Sequence, residues 1–150
     1  MEGVDHTMKA RVRWHEEVAF VAESGSGHAL VVDGSPDHGG RNLGPRPMEL
    51  ILMGLGSCAS FDVVTILKKQ RQQVSGCECA LEAKRADTVP AVFTEVVMHF
   101  TVSGQGLDHA KVERAVSLSA EKYCSASKMF EEAGVDLSHR VTVSEDVAHA

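Results

Sequence analysis

The chain has 150 residues, of which 43% are hydrophobic and 24% charged, with a formal charge of −6 and a sequence pI of about 5.7. A chain of this size buries a real core without metal or disulfide staples, and its composition excludes the disordered and collagen-like classes. An acidic surface with no basic stripe also argues against nucleic acid and anionic membrane as partners.

Met1 to Thr7 is acidic and polar, and shows no signal peptide. A cytoplasmic protein is expected, a single domain over residues 1–150 with a disordered stretch at 1–8. Lys9 to Val21 reads as a strand with Val12 and Trp14 on one face and Arg11 and Arg13 on the other. Glu23 to Gly27 is a turn, and His28 to Asp33 returns to complete a hairpin. Gly34 to Pro47 holds three prolines and four glycines, and is a long loop of the kind that often carries function.

Pro47 opens a helix that is expected to reach about Gln73, with Gly76 as its stop. Leu50, Ile51, Leu52, Met53, Leu55, Phe61, Val63, Val64, Ile66 and Leu67 surround it rather than stripe it, which marks a central, buried helix. Its length approaches a membrane span, but Glu49, Asp62 and two glycines interrupt it, so a core helix is expected. The basic run Lys68-Lys69-Gln70-Arg71 sits at its end, where cations meet the helix dipole favourably.

Cys77 to Lys84 alternates, with Cys77, Cys79, Leu81 and Ala83 on one face. Asp87 to Pro90 turns the chain, and Phe93 to Val102 returns with Phe93, Val97 and Val102 expected inward. Gly104 to Gly106 ends this hairpin. Leu107 to Tyr123 is a second helix with Val112, Ala115, Val116 and Ser119 along one side. Cys124 to Ser127 breaks the pattern, a short helix follows to about Ala133, and Leu137 to Glu145 is the last strand. This order argues for an α+β fold, with antiparallel sheet segregated from helices.

The candidates for chemistry are the four cysteines, Glu49 and the arginines near it. Cys58 lies inside the first helix beside Gly54 and Gly56. Those glycines require a reason, either close helix–helix approach or room for a substrate near the thiol. A free cysteine there also serves as a small buried hydrophobe. Cys124 sits at a break between helices, and if it caps the following one, the dipole favours its thiolate. Cys77 and Cys79 share a strand face and read as core filling, because a zinc site needs two more close ligands. The eight histidines form no metal motif. Gly54-Leu55-Gly56 lacks the third glycine of a dinucleotide fingerprint. No cofactor and no metal are expected. Glu49 is explained by the helix dipole alone if nothing else uses it.

Taken together, Pro47-Met48-Glu49-Leu50, Met53-Gly54-Leu55-Gly56-Ser57-Cys58 and Glu121-Lys122-Tyr123-Cys124-Ser125 resemble the OsmC/Ohr family, the osmotically inducible and organic-hydroperoxide-resistance proteins. The order of elements matches from about Lys9 to Glu145, and Met53 to Phe61 resembles a less characterised OsmC-like branch. The resemblance implies antiparallel sheets on a long central helix in an intertwined homodimer. It implies a hydroperoxide reductase with Cys58 peroxidatic and Cys124 resolving. It further implies that an arginine and Glu49 activate the thiolate. Arg41, in the loop before the helix, is the choice, with Arg46 and Arg13 behind it. The partners implied are a hydroperoxide and an external dithiol reductant.

Helix geometry bears on the homodimer. At ~100° and ~1.5 Å per residue, Glu49 and Cys58 face opposite sides of one helix, about 13 Å apart along it. Glu49, with Arg41, is therefore expected to serve Cys58 of a second copy. Two other functions remain open at this point: an OsmC-like dimer whose apolar cleft holds a small ligand, and a thiol-disulfide exchanger, against which the missing Cys-x-x-Cys counts.

Overall fold

A computed structural model describes residues 3–146, so part of the expected disordered stretch, residues 1 and 2, and His149 lie outside the described residues. Two compact units divide the chain, Met1–Ile51 and Leu52–Ala150.

The first unit is a three-stranded antiparallel meander of β1 (Ala10–Glu16), β2 (Ala19–Ser24) and β3 (Ala29–Val32). The expected single strand from Lys9 to Val21 is in fact two strands. Glu17 adopts a left-handed φ of 48°, and the Trp14 indole N–H donates to the Glu17 carbonyl at 2.8 Å, which closes a tight turn. Neither Glu17 nor Val18 is a turn-forming residue type, so the break left no mark in the sequence. Beyond β3 the loop includes one 3-10 turn at Pro36–His38.

α1 (Pro47–Lys69) begins as expected at Pro47. It stops before Gln73 because Arg71 takes a left-handed φ of 58° and ends the helix. β4 (Gln73–Arg85) then starts earlier than expected, and Gly76 lies within it, beside an irregularity in its pairing with β5, rather than closing the helix. β5 (Phe93–Gln105) pairs antiparallel with β4.

α2 (His109–Leu118) starts at Asp108, whose carboxylate accepts from the N–H groups of Ala110 and Lys111 at 3.0 and 3.3 Å. A π-helical turn, Ser119–Tyr123, replaces the expected last turn of that helix and leads into α3 (Ser125–Glu132). β6 (Asp136–Glu145) lies on the free side of β5, and the pair is parallel. The expectation of purely antiparallel sheet is therefore corrected. A parallel pair needs a crossover, and α2 and α3 supply it.

The core of the second unit lies between α1, the β4-β5-β6 sheet and the helices that follow. Leu55, Ala59, Val63 and Leu67 of α1 meet Val96, Met98, Phe100 and Val102 of β5, and Val112, Ala115 and Val116 of α2. Val97, expected inward, faces the other way, because the buried set on β5 falls on even numbers. Phe93 still joins the core. The pairing shifts between Lys84 and Arg85, whose partners are Glu95 and Phe93, and Thr94 is the extra residue that reverses parity.

α1 also differs from the expectation of burial all round. In this chain one stripe is buried, while Met53 is 56% and Phe61 71% exposed. The helix is long and apolar enough to cross a membrane. Its buried stripe, however, packs into the core described above, as befits a core helix.

Candidate functional site

The α1 helix presents Cys58 at the margin of its buried stripe, partly exposed and packed against the core. Cys124 comes from the junction of the π-helical turn and α3 and is 3% exposed. Two hydrogen bonds fix that junction. The Cys124 N–H donates to the Ser119 carbonyl at 2.8 Å, and the buried Ser119 hydroxyl donates to the Ala59 carbonyl at 2.8 Å. Ala59 follows Cys58 directly, so the second bond clamps the peroxidatic candidate's own turn of helix to the turn that carries the resolving candidate. Cys58 lies close enough to Cys124 to raise its thiol pKa.

Cys124 does cap α3: its sulfur accepts from the Ser127 N–H at 3.3 Å. Burial nevertheless outweighs the cap and pushes the thiol pKa up. Ser127, whose N–H donates to the sulfur, pulls it down, while Cys58 pushes it up again. The balance leaves Cys124 a protonated thiol near neutral pH. A resolving cysteine carries such a proton into the water released when a sulfenic acid condenses.

Cys77 and Cys79 point to the core side of β4, as expected. Burial raises both, with Ser60 opposing, and Cys79 reaches about 11 with Cys77 adding to the rise. At about 11, Cys79 forms its thiolate less readily than an ordinary cysteine. Among the described residues no three His, Cys, Asp or Glu side chains are grouped to hold a metal.

Gly54 and Gly56 have separate explanations. A Cβ on Gly56 would stand 2.6 Å from Leu81 Cδ1, so close packing on β4 requires that glycine. A Cβ on Gly54 would meet nothing within 4 Å, which leaves open space one helical turn before Cys58.

The remaining candidates lie in the first unit. Glu49 Oε1 accepts from the Arg46 N–H at 2.8 Å and stands 3.8 Å from Arg46 Nε. This is one half of a capping box, a carboxylate at the third helical position reaching back to the residue before the helix. Arg46 also donates to Asn42 Oδ1 at 2.5 Å. Arg41 pairs with Glu16, and Arg13 with Glu23. Within this unit, then, Glu49 is joined to Arg46, not to Arg41.

Sequence reasoning passed over Asp33. It is buried, and its carboxylate accepts from the N–H groups of Gly34 at 2.7 Å and of Arg41 and Leu43 at 3.2 Å each. These bonds, the Gly34 one largest, hold its pKa below the usual carboxylate range. Asp33 thereby shapes the loop that carries Arg41. An aspartate between a valine run and a glycine was the available signal. Ser119 and Ser127 were also missed as tethers, because a serine inside a helical pattern does not show where its hydroxyl goes.

An α+β fold with two adjacent thiols, one in a core helix and one at a helix cap, defines a class, and sequence comparison gives it a family. The OsmC-like protein family model matches residues 38–140, and the chain belongs to that family. It is similar to Protein YhfA of Escherichia coli K12, 46% identical over 136 residues, covering 91% of this chain and 98% of that one. A crystal structure of a hypothetical protein from Aquifex aeolicus matches with a TM-score of 0.82 at 28% identity, over 95% of this chain and all of the other. The organic hydroperoxide resistance protein OsmC of Legionella pneumophila shares the fold, with a TM-score of 0.70 at 20% identity over 93% and 99% of the two chains.

Proposed function

We propose that this protein is a thiol-dependent peroxidase that reduces organic hydroperoxides. The observation that supports this most is the meeting of Cys58 and Cys124, far apart in sequence, beneath the Ser119–Ala59 clamp. The Cys58 thiolate attacks the terminal oxygen of the hydroperoxide. The O–O bond breaks, the alkoxide leaves and takes a proton to become an alcohol, and Cys58 becomes a sulfenic acid. Cys124 then attacks the Cys58 sulfur and water departs, which leaves a disulfide. Two equivalents of external thiol, or one dithiol, restore the pair.

Activation of Cys58 needs a fixed cation, and an arginine suits because it stays charged. We assign this role to Arg41 of a second copy of the chain, with Glu49, joined to Arg46, entering the same site from that copy. Gly54, with open space beside it, and the exposed Phe61 lie one turn from Cys58 on α1, alongside Asp62, and favour an alkyl hydroperoxide over hydrogen peroxide, by roughly 25 cal/mol for each Å² of alkyl surface buried.

One equivalent of cumene hydroperoxide followed by peptide mass mapping tests the reading. The expected product is a Cys58–Cys124 disulfide. Cys58→Ser should abolish peroxide consumption. Cys124→Ser should permit about one turnover and then accumulate sulfinic Cys58. Oxidation of Cys77 or Cys79 ahead of Cys58, or equal rates with hydrogen peroxide and cumene hydroperoxide, would count against it.

A further inference from the structure

Cys58 has neighbours of opposite character one helical turn away on either side. Side chains four residues apart on a helix share a face, with Cβ atoms about 5–6 Å apart. Gly54, one turn before Cys58, leaves a hollow in which a Cβ would meet nothing within 4 Å. Asp62, one turn after it, puts a carboxylate on the same face of α1. Cys58 and Asp62 are each only partly buried, so a reagent that reaches the thiol also meets the carboxylate. Asp62 lines a cavity of about 500 Å³, and its side chain therefore borders open space rather than packed core.

The charge of Asp62 is not cancelled locally. Among the described residues it takes part in no ion pair, although other carboxylates of the chain do. Lys69, which lines the same cavity, follows it by seven residues, about 10 Å along the helix axis. The arginine assigned above to a second copy brings one positive charge, but the Cys58 thiolate that it serves carries one negative charge and offsets it. The charge left over beside the reacting sulfur is that of Asp62. A second carboxylate held within ~6–8 Å of it, in a half-exposed site, meets a repulsion that corresponds to roughly three- to tenfold in rate.

We propose that Asp62 selects the substrate by charge: the hydroperoxide taken at Cys58 is an uncharged one, its alkyl group toward the Gly54 hollow, and a hydroperoxide with a carboxylate a few carbons from the peroxide is turned away. The identity of the substrate rests on the peroxidase reading, but the charge selection at the thiol does not.

Two measurements on the full chain separate the two. Iodoacetamide and iodoacetate both alkylate the thiolate, so the ratio of their rates is independent of how much thiolate is present. The ratio is read at the Cys58 peptide by mass mapping and divided by the same ratio for 2-mercaptoethanol. It should favour iodoacetamide by about three- to tenfold in the parent. Asp62→Asn should bring it close to unity, and Asp62→Glu, which keeps the charge, should retain it. Salt at about 1 M should reduce it in the parent, because screening then acts over ~3 Å. The second measurement uses tert-butyl hydroperoxide with one methyl group replaced by a propionate arm, as the free acid and as its methyl ester. The ester should be consumed faster by a similar factor, and Asp62→Asn should close the gap. A normalised alkylation ratio near unity in the parent, or one that neither Asp62→Asn nor salt reduces, overturns the proposal, and the salt arm decides alone if the variant does not fold. Selective alkylation with equal rates for ester and acid overturns the substrate class. Selective alkylation with neither hydroperoxide consumed overturns the peroxidase reading alone and leaves the charge selection at Cys58 standing.

Discussion

Gly54 and Gly56 lie two residues apart in α1, and the same substitution has opposite consequences at the two sites. Alanine at Gly54 meets no atom within 4 Å and gains helix propensity, so urea unfolding should show about 1 kcal/mol of added stability. Alanine at Gly56 must displace Leu81 from the sheet. Overpacking of about 1–3 kcal/mol offsets the propensity gain, so this variant should be the less stable of the two. Asp33 acts on backbone rather than core. Asp33→Ala should free the N–H groups of Gly34, Arg41 and Leu43, and limited proteolysis should then cut within residues 34–46 faster than in the parent. Its lowered pKa sets the sign of the acid response: the contribution is present above the ordinary carboxylate range and is lost as pH falls through the folded value. The raised thiols act in the opposite direction. The folded protein holds the Cys79 proton up to about 11, while the unfolded chain releases it near the ordinary thiol value of 9.0. Stability should therefore decline between those values as pH rises, and Cys79→Ala should flatten the decline in thermal melts.

Elements were legible in the sequence wherever one period ran undisturbed. The buried side of α2 and the turn after it, namely Val112, Ala115, Val116 and Ser119, follows directly from helical spacing, and the inward set of β4 from strict alternation. Legibility failed where a single residue changed the geometry. Thr94 reverses parity on β5, Glu17 splits the first strand, and Arg71 ends α1 with a backbone angle that its type does not announce. The parallel pairing of β6 was hidden for another reason, since strand direction depends on the crossover and not on the strand's own pattern. Of the candidate site, Cys58 and Cys124 were singled out as a pair by the resemblance of their flanking motifs to a family, while the π-helical turn and serine bond that place them left no mark in the sequence. The turn carries a prediction of its own. Ser119→Ala removes a buried hydrogen bond to the Ala59 carbonyl and should cost about 1–3 kcal/mol in urea unfolding. It should also slow disulfide formation after a hydroperoxide pulse, because the clamp between the two cysteine-bearing segments is gone.

At the scale of the whole molecule, the exposed Met53 and Phe61 leave apolar surface on α1 that a second copy of the chain would cover in the assembly proposed above. Mixed dimers test it. One subunit carries Cys58→Ser and the other Arg41→Ala with Glu49→Gln, and one of the two sites in each mixed dimer should regain activity. Confirmed mixed dimers with no recovery, or a fully active monomer, would end the idea. Cys58 and Cys124 also bracket most of the second unit, including β4, β5 and α2. A bond between them would close a ring of roughly 65 residues, and loop-closure entropy assigns such a ring about 4 kcal/mol against unfolding. Oxidation would then tighten the molecule. The form awaiting reduction would melt several degrees above the resting one, so a thermal shift could follow turnover without any reporter dye. Linkage runs the other way as well: a fold that gains stability from its disulfide also holds that disulfide against weak reductants, and the thiol that regenerates it must be either strongly reducing or held beside it.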